Sequence, residues 1–88
     1  PDMPLASKLI VVIDDDKSVS EALASLLRAW GAFTVCASDG DELLHALAGR
    51  KPDAVIADRN LGKSIDGFTV LNQLEVHWGG AVPSLITN

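Results

Sequence analysis

With 88 residues, the chain has room for one domain and not for two. A formal net charge of −5, with only seven basic residues, excludes the basic face that a nucleic-acid binder needs. Apolar residues make up 48% of the chain, enough for a core, although a domain this small buries only roughly 60–65% of its surface. No apolar run reaches the ~20 residues of a membrane span. The first residues lack the charged-then-apolar pattern of a signal peptide. The single cysteine, Cys36, allows no internal disulfide and reads as a small buried hydrophobe in a reducing cytosol. Residues 1–7, beginning Pro1-Asp2-Met3-Pro4, read as linker. The domain is expected over 8–88, cut from a longer protein.

Leu9-Ile10-Val11-Val12-Ile13 is a continuous run of branched apolar residues, the pattern of a strand buried on both faces of a parallel sheet. Asp14-Asp15-Asp16 end it. Val19, Ala22, Leu23, Leu26, Leu27 and Trp30 then recur at helical spacing and predict one inward stripe. Ser18 with Glu21 is the capping pair expected at that helix start, and Gly31 its end. Phe33–Ala37 is the second strand. Ser38-Asp39-Gly40-Asp41 opens a second helix, with Leu43, Leu44, Leu47 and Ala48 inward and Gly49 closing it. Pro52-Asp53 leads into a third strand, Ala54-Val55-Ile56-Ala57, which runs into Asp58. A polar loop from Arg59 to Gly67 precedes a third helix that turns Phe68, Leu71, Leu74 and Trp78 inward. Gly79-Gly80 breaks it, and Pro83 leads into a fourth strand, Ser84–Thr87. His45 is expected on the wet side of the second helix. His77, near a helix end, suits the local dipole.

Strands alternating with helices define an α/β fold with a doubly wound parallel sheet and right-handed crossovers. Ligands of such sheets bind beyond the carboxyl ends of the strands. Here the first strand ends in Asp14-Asp15-Asp16, the third in Asp58 and the fourth in Thr87. If the first and third strands are neighbours, at ~4.8 Å, their carboxylates converge on one small site. Like charges that close repel, and a hard divalent cation such as Mg²⁺ relieves the repulsion. An aspartate can also be a nucleophile toward phosphorus, and a threonine hydroxyl can donate to a phosphoryl oxygen.

Ile10-Val11-Val12-Ile13-Asp14-Asp15-Asp16, then Pro52–Leu61 with Asp66-Gly67 downstream, then Val82–Thr87, resembles the receiver domain of two-component response regulators. The resemblance implies a flavodoxin-like sheet in the order 2-1-3-4. It implies Asp58 as the phosphoacceptor and a Mg²⁺ held by Asp14, Asp15, Asp58 and the backbone carbonyl of Asn60, with Asp14 acting mainly through water. Thr87 would bond the phosphoryl group, and Asp16 would not be a ligand. The donor would be a histidine kinase or a phosphotransfer protein. The domain would be a cytoplasmic phosphoacceptor rather than an enzyme, touching neither nucleic acid nor membrane.

The sequence departs from the family in Leu61-Gly62-Lys63-Ser64-Ile65, which replaces a Pro-bearing step and lengthens the loop, as in receivers of hybrid sensor kinases. The family's fourth helix, fifth strand and fifth helix, with a lysine and an aromatic switch residue on that strand, have no counterpart in these 88 residues. That predicts a bare sheet edge, apolar exposure among Leu85, Ile86 and Trp78, and association or element swapping. Two other readings compete. A haloacid-dehalogenase-like phosphatase would use Asp14 as nucleophile and Asp16 as general acid, but leaves Asp58 unexplained. A receiver-like module that is never phosphorylated does not need the set Asp14, Asp15, Asp58 and Thr87.

Overall fold

Branched apolar runs become strands, and the segments between them become helices. The computed structural model describes residues 3–62 and 64–88. The elements in chain order are β1 (Leu9–Ile13), α1 (Lys17–Ala29), β2 (Phe33–Ala37), α2 (Gly40–Leu47), β3 (Ala54–Asp58), α3 (Gly67–Trp78) and β4 (Ser84–Thr87). The strands form one sheet in the order β2-β1-β3-β4, with every pairing parallel. Ile13 is in register with Ala57, and Asp58 with Thr87. The residues that follow Ile13 and Ala57 therefore emerge side by side at one end of the sheet.

Alternation along β1 divides the core. Val11 and Ile13 pack with Leu43 and Leu47 of α2 and with Val70, Leu71 and Leu74 of α3. Ile10 and Val12 pack on the opposite face with Leu27, supported by Leu23 of α1. One helix is about 10 Å wide, and four strands span about 14 Å, so α1 cannot cover its whole face. A row that crosses the sheet shows the consequence: Val12 is buried, its register partner Ile56 is half-buried, and Leu85 beside Ile56 is 59% exposed. Exposure at Leu85 matches the sequence expectation, whereas Ile86 and Trp78 are half-buried against the larger cluster.

Several local expectations are corrected. The cap of α1 is Asp16, not the Ser18–Glu21 pair. Asp16 is extended, and its carboxylate accepts from the backbone N–H groups of Ser18 and Val19. The inward face of α1 keeps Leu23 and Leu27 of the expected stripe but is completed by Ser20 and Ala24. Small residues let the helix approach the sheet, and Val19, Leu26 and Trp30 are left exposed. Ala48 does not face inward; it caps α2 in the left-handed conformation, at φ 50°. Phe68 is exposed, and Val70 takes the inward position in α3. Residues of the expected linker also dock: Leu5 donates its N–H to the Trp30 carbonyl at 2.9 Å and packs beneath α1. His45 and His77 are exposed, in keeping with their structural reading.

Leu43 is fully buried where α2 meets the sheet, and Val76 is 82% exposed on α3. Leu43→Ala is expected to lower unfolding free energy by about 2–5 kcal/mol. Val76→Ala is expected to change it by less than about 0.5 kcal/mol. Urea unfolding followed by circular dichroism checks both.

Candidate functional site

The strand register sets up the site. Asp14 leaves β1 next to the end of β3, and Asp58 is the last residue of β3. One carboxylate oxygen from each of Asp14, Asp15 and Asp58 lies within 4.8 Å of the others. Asp14 is only 5% exposed, Asp58 is half-buried and Asp15 is exposed. Asp14 is anchored by its own N–H, which donates to the Ala37 carbonyl at 3.0 Å. Its Oδ1 accepts the N–H of Asp16 at 2.9 Å.

Burial pushes the Asp14 carboxyl above its ordinary value. The Asp16 hydrogen bond opposes the rise, and the charges of Asp58, Asp15 and Asp16 add to it. Asp16 goes the other way. The Ser18 hydroxyl and the N–H groups of Val19 and Ser18 hold its carboxyl below the ordinary value. A carboxyl stabilised as an anion in a helix cap is a poor general acid, which argues against the phosphatase-like use of Asp16. Cys36 is half-buried, and burial raises its thiol, which suits a packing role.

The loop after β3 is tied down at several points. The N–H of Asn60 donates to Asp58 Oδ1 at 3.0 Å, fixing one oxygen of that carboxylate. Asn60 bridges to Asp66, and the N–H of Gly67 donates to the Arg59 carbonyl at 2.8 Å. The N–H of Arg59 in turn reaches the Thr87 carbonyl at 2.7 Å, joining the loop to β4. Thr87 is half-buried and in register with Asp58. Two glycines that the motif reading did not single out as functional matter here. A Cβ on Gly67 would collide with the Asp58 carbonyl oxygen. Gly62, at φ 75°, lies so close to Asp15 that a Cβ would sit 3.1 Å from its Oδ2. The signal for both was a glycine within reach of an acidic residue, but only the folded loop shows which atoms come close. Lys63, part of the atypical loop sequence, lies outside the described residues.

The donor set fits a hard divalent cation: carboxylate oxygens only, clustered, partly buried and open to solvent at Asp15.

The comparisons with known proteins agree with this geometry. The family model of the response regulator receiver domain matches residues 10–87, and the chain belongs to that family, the signalling class of two-component phosphorelays. It is similar to the response regulator MprA of Mycobacterium sp. (strain KMS), with 38% identity over 77 residues, 88% of this chain and 33% of that protein. It is also similar to the alkaline phosphatase synthesis transcriptional regulatory protein PhoP of Bacillus subtilis (strain 168). That match has 38% identity over 68 residues, 77% of this chain and 28% of the relative. The crystal structure of a response regulator receiver protein from Burkholderia phymatum superposes with a TM-score of 0.73 at 37% identity, covering 91% of this chain and 64% of that one. The chain thus spans about one third of the length of the curated relatives it matches. The sheet order 2-1-3-4 with flanking helices is the flavodoxin-like receiver fold.

Because Asp14 holds its proton more tightly when folded, its contribution to stability is greatest below the ordinary value of 3.8. That contribution is lost as pH rises through the raised folded-state value. In EDTA at neutral pH, Asp14→Asn is therefore expected to raise the melting temperature, and the gain should shrink as pH falls toward 3.8. Melting curves across that range check the sign.

Proposed function

We propose that this domain accepts a phosphoryl group onto Asp58 from a phosphohistidine of a histidine kinase or phosphotransfer protein, with Mg²⁺ as the required cation. The observation that carries the reading is the convergence of Asp14, Asp15 and Asp58 within 4.8 Å at the carboxyl edge of a parallel sheet. Asp14, Asp15, Asp58 and the backbone carbonyl of Asn60 would hold the cation. Bound there, Mg²⁺ supplies positive charge against the phosphoryl oxygens and cancels the repulsion among the carboxylates.

The protein's own groups do the rest. Asp58 Oδ1 is held by the Asn60 N–H, which leaves the second oxygen as the nucleophile. That oxygen forms a bond to phosphorus, the phosphorus–nitrogen bond to the imidazole breaks, and the released imidazole takes up a proton. Thr87, across from Asp58 at the end of β4, donates its hydroxyl to a phosphoryl oxygen. The tethered β3–α3 loop keeps the carboxylate oriented during attack. The domain is a phosphoacceptor that assists its own modification rather than an enzyme acting on a separate substrate. No helix among the described residues is long and apolar enough to cross a membrane, and the reading places the domain at the cytoplasmic end of a signalling chain.

Incubation with acetyl phosphate and Mg²⁺ is expected to add one hydroxylamine-sensitive phosphoryl group, visible by intact mass. Asp58→Asn or EDTA should abolish it. Labelling that survives Asp58→Asn but is lost in Asp14→Asn would instead support the phosphatase-like chemistry.

The cation assignment has its own test. Mg²⁺ is expected to raise the melting temperature of the unmodified chain, since a ligand of the folded state stabilises it. Asp15→Ala should remove that response, and an unchanged response would rule out Asp15 as a ligand.

A further inference from the structure

A second region of the surface is built differently from the carboxylate site. A cavity of about 440 Å³ opens between the start of α2, the β3–α3 loop and the first turns of α3. Its apolar lining is Leu61 and Val70, both buried, with Ile65 exposed at the lip. Around this floor stand Asp39, Asp41 and Asp66, and the described lining contains no Lys, Arg or His. A smaller cavity of about 130 Å³ shares Gly40, Asp41, Val70 and Gln73 with it and continues between α2 and α3 past Leu44 and Leu74 to His77. The two form one groove along the α2–α3 seam.

The charge of the groove decides what it can take. Asp39 and Asp66 each commit Oδ1 to a helix cap, accepting from the Glu42 and Phe68 N–H groups. The two helix N-termini contribute about +0.5 each. Among the described residues of the larger cavity, three carboxylates against that leave a net of roughly −2. Among the described residues, Asp39, Asp41 and Asp66 do not gather within ligand distance of a common point, as Asp14, Asp15 and Asp58 do. They are spread around an apolar floor. A small hard cation has no compact ligand set there, whereas an extended ligand with separated positive charges and an apolar centre is matched on both counts.

We propose that this groove docks a short segment of a partner protein in which arginine or lysine side chains flank a branched apolar side chain. The apolar side chain enters over Leu61 and Val70, and the cations meet Asp39, Asp41 and Asp66. Because Asp66 also bridges Asn60, the groove abuts the loop that carries the phosphoacceptor site without sharing its carboxylates.

The test titrates the whole ¹⁵N-labelled chain with a short acetylated and amidated peptide of alternating leucine and arginine. Amide shifts are expected at Asp39–Asp41 and Ile65–Gln73, and they should weaken as salt is raised. Gln73→Arg places a cation in the groove without touching either cap and should weaken binding at least about fivefold. Asp41→Asn, at an exposed position, should weaken it as well. A matched leucine–glutamate peptide should cause no shift. The proposal is overturned if no shift appears, if shifts lie elsewhere and ignore Gln73→Arg, or if the glutamate peptide binds equally. Equal shifts with spermidine would also overturn it, since a free polyamine would then suffice. Binding is read here without phosphorylation, so its outcome and that of the phosphoacceptor reading are separable.

Discussion

Three carboxylates are held together by a sheet that gives them no choice. The parallel register that pairs Ile13 with Ala57 forces Asp14 and Asp58 out at the same edge, and Asp15 follows. Two unit charges at that separation repel by on the order of 3 kcal/mol where the effective dielectric is about 20. Solvent and salt reduce this for the exposed Asp15. For the nearly buried Asp14 the carboxyl is raised, by burial first and by the charges of Asp58, Asp15 and Asp16 in addition. In a domain whose net stability is on the order of 5–15 kcal/mol, such repulsion is a sizeable cost, and a bound divalent cation would relieve it.

The surrounding structure separates the clustered acids from acids that build. Asp16, Asp39 and Asp66 each cap a helix, and Asp53 Oδ2 accepts the Leu9 N–H at 2.7 Å where the chain enters β1. These groups hold the loops at fixed angles to the strands. The β3–α3 loop is pinned by the Asn60–Asp66 bridge, by the Arg59 link to Thr87 and by the close passage of Gly67 over the Asp58 carbonyl. Under the proposed phosphoacceptor reading one carboxylate oxygen must be oriented for attack, and such a loop suits that task, because small errors in position cost rate.

Much of this was legible in the sequence. β1 is a run buried on both faces, and β2 and β4, though more exposed, are short runs rich in branched or apolar residues between turns; the bounds of all three coincide with their predicted ranges. Asp14, Asp15 and Asp58 stood at strand ends, and their convergence followed from neighbouring strands. The orientation of α1 was legible only in part, through Leu23 and Leu27. Its most hydrophobic stripe carries Val19, Leu26 and Trp30, yet Ser20 and Ala24 face the sheet, because close packing there selects small size over hydrophobicity. The α1 cap was also misread: Asp16 and Ser18 are both good caps, and only backbone geometry decides between them. The two loop glycines stood near acidic residues in the sequence, but the atoms they approach are fixed only by tertiary structure.

The most direct test of the account is where a divalent cation sits. Mn²⁺ accepts the same oxygen ligands as Mg²⁺ and broadens nearby amide signals. Traces of Mn²⁺ added to the ¹⁵N-labelled chain should first erase the signals of Asp14, Asp15 and Asn60, while those of Asp39 and Asp41 persist. Broadening that begins at Asp39 and Asp41, or that spreads evenly over the acidic surface, would contradict the claim that the sheet register builds one cation site.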